Sequence, residues 1–210
     1  MKLLKLNAPG VQALLKSHPA LKSCHKKVLS RGAFSIVYDT ENSERVLKLT
    51  VDPTQYRYSV TSPSMTSTIF PETYRDYGMI GLYLGRFPLY LFEVERLYPL
   101  EGDNLVLIAE ILDDLYRTFD GAFDPGAGHG EAYLDHLSNS IRVDAGLRYG
   151  FRQLSFMCAR KGYDADLYLD NFMQRLNGEI VATDPFFKRD FTDRLREAVS
   201  QPYRGKTRAA

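Results

Sequence analysis

What most constrains this chain is a change in the spacing of its apolar residues. In the first half they come in short strand-like runs. Phe34-Ser35-Ile36-Val37-Tyr38 is rich in β-branched and aromatic residues, Asp39 to Glu44 is turn-like, and Val46-Leu47-Lys48-Leu49 is apolar again. Two such runs around a polar turn predict a hairpin within residues 28–50. Pro88 to Val94 predicts a further strand by composition. In the second half the period lengthens. Leu105, Ile108, Leu112, Leu115 and Phe119 step by three and four, one face of an amphipathic helix. Leu147, Phe151, Leu154 and Cys158 predict another helix, stopped by Gly162, and Phe191, Leu195 and Val199 a last one. Between these, Asn177-Gly178 predicts a turn before the strand Glu179 to Ala182. A β-rich front followed by a helical back predicts an α+β protein.

The remaining segments fill in this plan. Residues 1–27 read as a lead-in, with Val11, Leu14 and Leu15 on one helical stripe bounded by Pro19. Residues 53–68 are rich in Ser, Thr, Tyr and Pro and carry no assignable period, and the glycines from Gly121 to Gly130 predict a loop. The expected organisation is a lead-in over 1–27, a β-rich unit over 28–100, a helical unit over 101–200 and a flexible tail over 201–210.

Size and charge exclude several function classes. A chain of 210 residues buries roughly 70% of its unfolded surface, enough to fold without disulfide or metal. Cys24 and Cys158 are its only cysteines, so a thiol-reducing cytoplasm is the expected compartment and no zinc site is suggested. Lys and Arg number 27 against 26 Asp and Glu, a net charge of +1, which argues against wholesale electrostatic binding to nucleic acid or an anionic membrane. No apolar run approaches the roughly 20 residues of a membrane helix. Met1 to Lys5 opens no long apolar stretch, so no secretory leader is expected.

Three segments carry candidate chemistry. Leu29 to Tyr38 contains Ser30, Gly32 and Ser35, small residues that let backbone N–H groups approach phosphates at a hairpin. Alone it reads more readily as a plain turn. Lys48 alternates with Leu47 and Leu49, so it leaves the strand on the face opposite to them. A single strand lysine is ordinarily a solvated edge residue. In Asp166-Leu167-Tyr168-Leu169-Asp170-Asn171, Asp166 has the chemistry to accept a proton from a hydroxyl. Asn171 and Asp184 supply hard oxygen ligands of the kind Mg²⁺ takes together with phosphate oxygens. Isolated Asp and Asn are usually turn formers, but Asp184 stands at the end of an apolar strand, where ligands are presented.

Together these residues resemble the protein-kinase-like phosphotransferases over about residues 28–187. The resemblance makes Leu29–Tyr38 the glycine-rich loop, with Ser30, Gly32, Phe34 and Ser35 near the phosphates and Val37 and Val46 lining the adenine pocket. Lys48 would hold the α- and β-phosphates, Asp166 would be the catalytic aspartate, and Asn171 and Asp184 the magnesium ligands. The gaps of five residues from Asp166 to Asn171 and thirteen from Asn171 to Asp184 match the family. Gly32-Ala33-Phe34-Ser35-Ile36-Val37-Tyr38, Val46-Leu47-Lys48, Asp166 to Met173 and Thr183-Asp184-Pro185 are closest in flavour to the early serine/threonine protein kinases of podophages. The resemblance implies a two-lobed fold with a β-rich N-lobe and a reduced helical C-lobe. It also implies ATP and Mg²⁺ as cofactors, a host protein as substrate, and action in the host bacterial cytoplasm.

The chain departs from the family as well. No Glu occurs in 53–71, so the helix-borne glutamate that pairs with the strand lysine has no counterpart; Asp164 and Ala165 precede Asp166; and no Ala-Pro-Glu motif follows Asp184. A small-molecule phosphotransferase and a kinase-shaped protein that binds and inhibits a host factor are the competing readings. Asp164 and Asp170 rival Asp166 for the catalytic role. His129 and His136 read as surface polar residues. Arg148, Arg152, Arg160 and Lys161 read as a solvated helix face, with an acidic partner as the alternative. Tyr56, Tyr58, Tyr74 and Tyr77 read as packing. Ser59, Thr61, Ser62, Ser64, Thr66, Ser67 and Thr68 are candidate autophosphorylation targets.

Overall fold

The computed structural model describes residues 4, 9–23, 27–61, 67–119 and 129–200. Cys24, Ser62, Ser64, Thr66, most of the glycine loop and the tail over 201–210 lie outside them. The fold is mixed α+β, with a five-stranded antiparallel sheet and seven α-helices among the described residues.

The hairpin expected within 28–50 is a three-stranded unit: β1 (Val28–Arg31), β2 (Ser35–Asp39) and β3 (Arg45–Thr50). The sheet continues through β5 (Phe87–Glu95) to the edge strand β4 (Thr73–Tyr83), in the order β1-β2-β3-β5-β4. Pairing sets Lys48 of β3 between Val37 on β2 and Phe92 on β5. Alternation divides the two faces as expected. Leu47 and Leu49 join Leu89 and Leu91 in one apolar cluster, and Val46 joins Phe92 and Val94 on the opposite face, the face Lys48 shares. Strand β4 carried no period-2 signal because it is a mostly exposed edge, interrupted by three register shifts and by Gly78 at φ 69°.

Residues 53–68 had no assignable pattern, yet α3 (Pro53–Thr61) forms there. Its start follows local rules. Pro53 takes the first helical position, and the Asp52 carboxylate accepts from Thr54 N at 2.7 Å. The second half contains α4 (Gly102–Thr118), α5 (Gly130–Asn139) and α6 (Ala145–Lys161). The stripe expected on α4 packs as read at Ile108, Leu112, Leu115 and Phe119 and is widened by Ile111, while Leu105, in the first turn, is 40% exposed. Helix α6 buries Leu147, Phe151, Leu154 and Cys158 as expected, begins at an Asp144 cap on Leu147 N, and ends at left-handed Gly162. Gly130 opens α5 directly after the glycine loop. A Cβ there would stand 2.5 Å from Ala165 N, so only glycine lets α5 approach the segment before Asp166.

Short elements follow: β7 (Asp164–Ala165), a 3₁₀ turn (Leu169–Asn171), β8 (Phe172–Gln174), β9 (Ile180–Ala182) and β10 (Phe186–Phe187), then α7 (Arg189–Ser200). β8 pairs with β9 and with β6 (Tyr98–Pro99), while β10 pairs with β7. The largest apolar cluster joins α3 through Tyr58 to α4, α5, α6, β8 and β9. The sheet cluster takes Val11 from α1 (Pro9–Ser17), Leu21 from α2 (Pro19–Ser23), and Phe191, Leu195 and Ala198 from α7. Helix α7, although within 101–200, thus buries its apolar stripe with the sheet.

Candidate functional site

A cleft of about 570 Å³ opens between the uncovered face of the sheet and the β8–β9 segment. Ser30, Gly32, Ser35, Val37, Val46, Lys48, Asn171 and Asp184, drawn from segments more than 120 residues apart, all line it. The apolar part of the wall is completed by Val94, Leu97, Tyr98 and Met173, none of them singled out from the sequence. Two of the expected residues stand outside the lining. Phe34 is turned into the sheet cluster, its ring 6.4 Å from that of Phe191. Asp166 lies one hydrogen bond behind Asn171.

The glycine turn is held by its own backbone. Gly32 N donates to Ser35 O at 3.0 Å, and the Phe34 carbonyl accepts from Val51 N at 3.0 Å and Thr50 Oγ1 at 3.2 Å. At Gly32 φ is not positive, and an added Cβ would meet only the Ser35 hydroxyl, at 3.3 Å, a tight contact that a small turn of that side chain relieves.

Polar bonds hold the opposite wall. Asn171 Nδ2 donates to the Asp166 carbonyl at 2.7 Å and to its carboxylate at 2.9 Å, which leaves Asn171 Oδ1 as the amide's free end. Thr183 N and Oγ1 donate to the Asn171 carbonyl at 2.8 and 3.2 Å. Asp166 N donates to Pro185 O at 2.8 Å, so the loop and the segment after Asp184 are one unit. Asp170 lines the cleft and is exposed, whereas Asp164 is committed to β7 opposite Phe187.

Helix α3 supplies the third side, and the sequence reading missed it. Gln55, 2% exposed, donates through Nε2 to Asp184 Oδ2 at 2.5 Å, and Tyr58 OH donates to Ala182 O at 2.7 Å. The Asp52-Pro53 start signal was the available clue. Glu95, also missed, closes the site at the end of β5. Arg175 donates to it through Nε at 2.8 Å and Nη2 at 2.7 Å, and also reaches the carbonyls of Thr68 and Phe70.

Burial dominates the electrostatics. It pushes Asp184 up to about 8, against the pull of the Lys48 charge, and Asp52 up to about 6. Burial lowers Lys48, opposed by Asp184 and Asp52. The Lys48 side chain is only half-buried by exposed area, but its ammonium is densely surrounded. Among the described residues no carboxylate is in ion-pair contact with it. Burial also raises Asp166, eased by the Asn171 amide.

The donor set suits a small hard cation. Asp184 Oδ1 is buried without a hydrogen-bond partner, and Asn171 offers an amide oxygen. Among the described residues no group of three or more His, Cys, Asp or Glu side chains is placed to hold a metal. One carboxylate and one amide are what Mg²⁺ uses when phosphates and water complete its shell.

The other residues weighed from the sequence lie elsewhere. His136 Nε2 stands 3.1 Å from Asp114 Oδ2, and the His129 ring 6.2 Å from Tyr133. Arg160 lies over the exposed Phe156 ring at 5.8 Å. Ser59 is 1% exposed, too enclosed to be a phosphorylation target in the folded protein. Tyr56 stacks on Tyr90 at 4.1 Å. No helix among the described residues is long and apolar enough to cross a membrane. No protein-family model matches the chain, and no curated protein matches it.

Proposed function

We propose that the chain is a two-lobed, protein-kinase-like enzyme, an ATP- and Mg²⁺-dependent serine/threonine protein kinase. In this reading it is phage-encoded and acts on host proteins in the bacterial cytoplasm. The observation that carries the reading is the single cleft in which Gly32, Val37, Val46, Lys48, Asn171 and Asp184 meet in the order and spacing of that family. The sheet supplies one lobe and the α4–α6 cluster the other. Val37, Val46, Val94 and Met173 form an apolar slot for an adenine ring. Lys48, held at the cleft by pairing on both sides, supplies a point charge for the α- and β-phosphates. Asp184 and Asn171 would hold magnesium, which when bound neutralises charge between the phosphates. Asp166, oriented by Asn171 and made a stronger base by burial, orients an acceptor hydroxyl and takes its proton.

The test is incubation of the purified protein with γ-labelled ATP, Mg²⁺ and bacterial lysate. Labelled protein bands that vanish with Lys48→Ala support the reading, and absence of label with wild-type protein overturns it. One observation favours a second reading, a nucleotide-binding protein that transfers nothing. The helix facing Lys48 contributes the amide of Gln55 where the family has an acid. ATP binding without transfer would select it.

A further inference from the structure

Two buried oxygens in the cleft have no hydrogen-bond partner, Asp184 Oδ1 and Gln55 Oε1. Buried acceptors are nearly always satisfied, so each orphan marks a missing partner. The two belong to side chains bonded to one another, Gln55 Nε2 donating to Asp184 Oδ2. Gln55 is 2% exposed and lines the cleft, so its oxygen has no bulk water to turn to. The helix that carries it is fixed at both ends of its buried face. Asp52 caps the first turn at Thr54 N, and Tyr58 OH holds the Ala182 carbonyl two residues before Asp184. The one side-chain cation that shares this part of the cleft and feels Asp184 is Lys48, itself without an ion-pair partner among the described residues.

Resting on the functional reading above, we propose that Gln55 is a positioning residue that ties the strand lysine to the metal-binding aspartate. Its amide nitrogen holds Asp184, and its unpartnered amide oxygen is left to accept from the Lys48 ammonium when nucleotide and magnesium draw the site together. A neutral amide performs both tasks without adding charge. A carboxylate at this position would keep the acceptor but repel Asp184, in a cleft that already feels Asp52 and Asp166. With Gln55 in place, no carboxylate of the helix competes with the phosphates for Lys48, and Asp184 keeps its free oxygen for a cation.

Gln55→Met fills the same volume and removes both the hydrogen bond to Asp184 and the acceptor oxygen, while Gln55→Glu keeps only the acceptor. Each variant is checked for native folding by circular dichroism. The half-saturating Mg²⁺ concentration for ATP binding is then read by calorimetric titration, with the transfer rate as second readout. Outer partners of metal ligands typically contribute about 10- to 100-fold in metal affinity or activity. The Met variant is expected to lose that much in both readouts and the Glu variant less. A packing role alone gives the reverse order, since a buried methionine is tolerated better than a buried charge. That order, or a Met variant equal to wild type, overturns the proposal. Should the Met variant not fold, a Glu variant whose magnesium requirement equals wild type overturns it as well. Wild-type protein that binds no ATP with Mg²⁺ ends the functional reading and this inference together. Wild-type binding that neither variant alters ends this inference alone.

Discussion

The two walls of the cleft are built by different physics. On the sheet side, Val37, Val46 and Lys48 are placed by strand register, with Leu47 and Leu49 anchored in the apolar cluster behind. On the opposite side, Asn171 ends a three-residue 3₁₀ turn while Asp166, Thr183 and Asp184 lie in the loop positions beside two- and three-residue strands, and all four are placed by side-chain and backbone hydrogen bonds. A register holds a side chain whatever its chemistry, whereas a hydrogen-bonded loop holds it only while each donor meets its acceptor. Substitutions of the apolar residues that anchor the sheet wall should therefore cost stability and leave the placement of Lys48 intact, and substitutions in the loop wall should cost function.

The sharpest test of that division is Asp166→Asn. General-base terms are worth about 10² to 10⁴ in rate, so phosphoryl transfer should fall by that range while ATP affinity, measured by titration, stays near wild type. A loss shared by Asp164→Asn but not by Asp166→Asn would move the role to the strand residue. Next comes the joint between the walls, the Glu95–Arg175 pair. Glu95 is 7% exposed, and its removal leaves the guanidinium without its main carboxylate. Glu95→Ala should destabilise by about 3–5 kcal/mol, read by urea unfolding. In the sheet wall Leu49→Ala, at a position with no exposure, should cost about 2–5 kcal/mol. Its KM for ATP should not change; a large KM shift with stability intact would erase the contrast between the walls.

The smallest effect expected is a pH slope. Asp184 is raised from 3.8 to about 8 in the folded protein. The stability it contributes is full below about pH 4 and is lost as pH rises through about 8. Asp52 acts in the same direction through about pH 6. Lys48, lowered by burial, works the other way, because its cost fades as it loses its proton. The nucleotide-free protein should therefore melt at lower temperature at pH 8.5 than at pH 5. Asp184→Asn should remove the part of that fall above about pH 6 and keep the Asp52 part, which lies between about pH 4 and 6. Identical slopes in thermal melts of both proteins would place the sensitivity elsewhere.

The same division decides what was legible in the sequence. Lys48 could be placed on its face because Leu47 and Leu49 alternate around it. The order and spacing of Asp166, Asn171 and Asp184 were legible because the loop that carries them is local. Gln55 was not, because α3 is a short helix with Ser, Thr and Tyr where apolar residues would give a period, and its buried face is itself partly polar: Thr54, Gln55, Tyr58 and Ser59. Helix α5 was hidden by Gly130, whose role is a close approach to Ala165 that only tertiary structure reveals. Phe34 was legible as part of the turn but not in direction, since its partner Phe191 lies 157 positions away in the chain.

The seat of α7 on the sheet has a consequence for synthesis on the ribosome. Strand β5 ends at Glu95, and the helix whose Phe191 packs on Phe34 and Phe87 ends at Ser200, 105 residues later. At about 5–20 residues per second, part of the sheet's apolar back stays open for roughly 5–20 s after its last strand is made. The half of the protein translated first is thus the half whose core closes last. Nascent chains stalled before residue 189 should be bound by ribosome-associated chaperones on that face, and chains released after residue 200 should not.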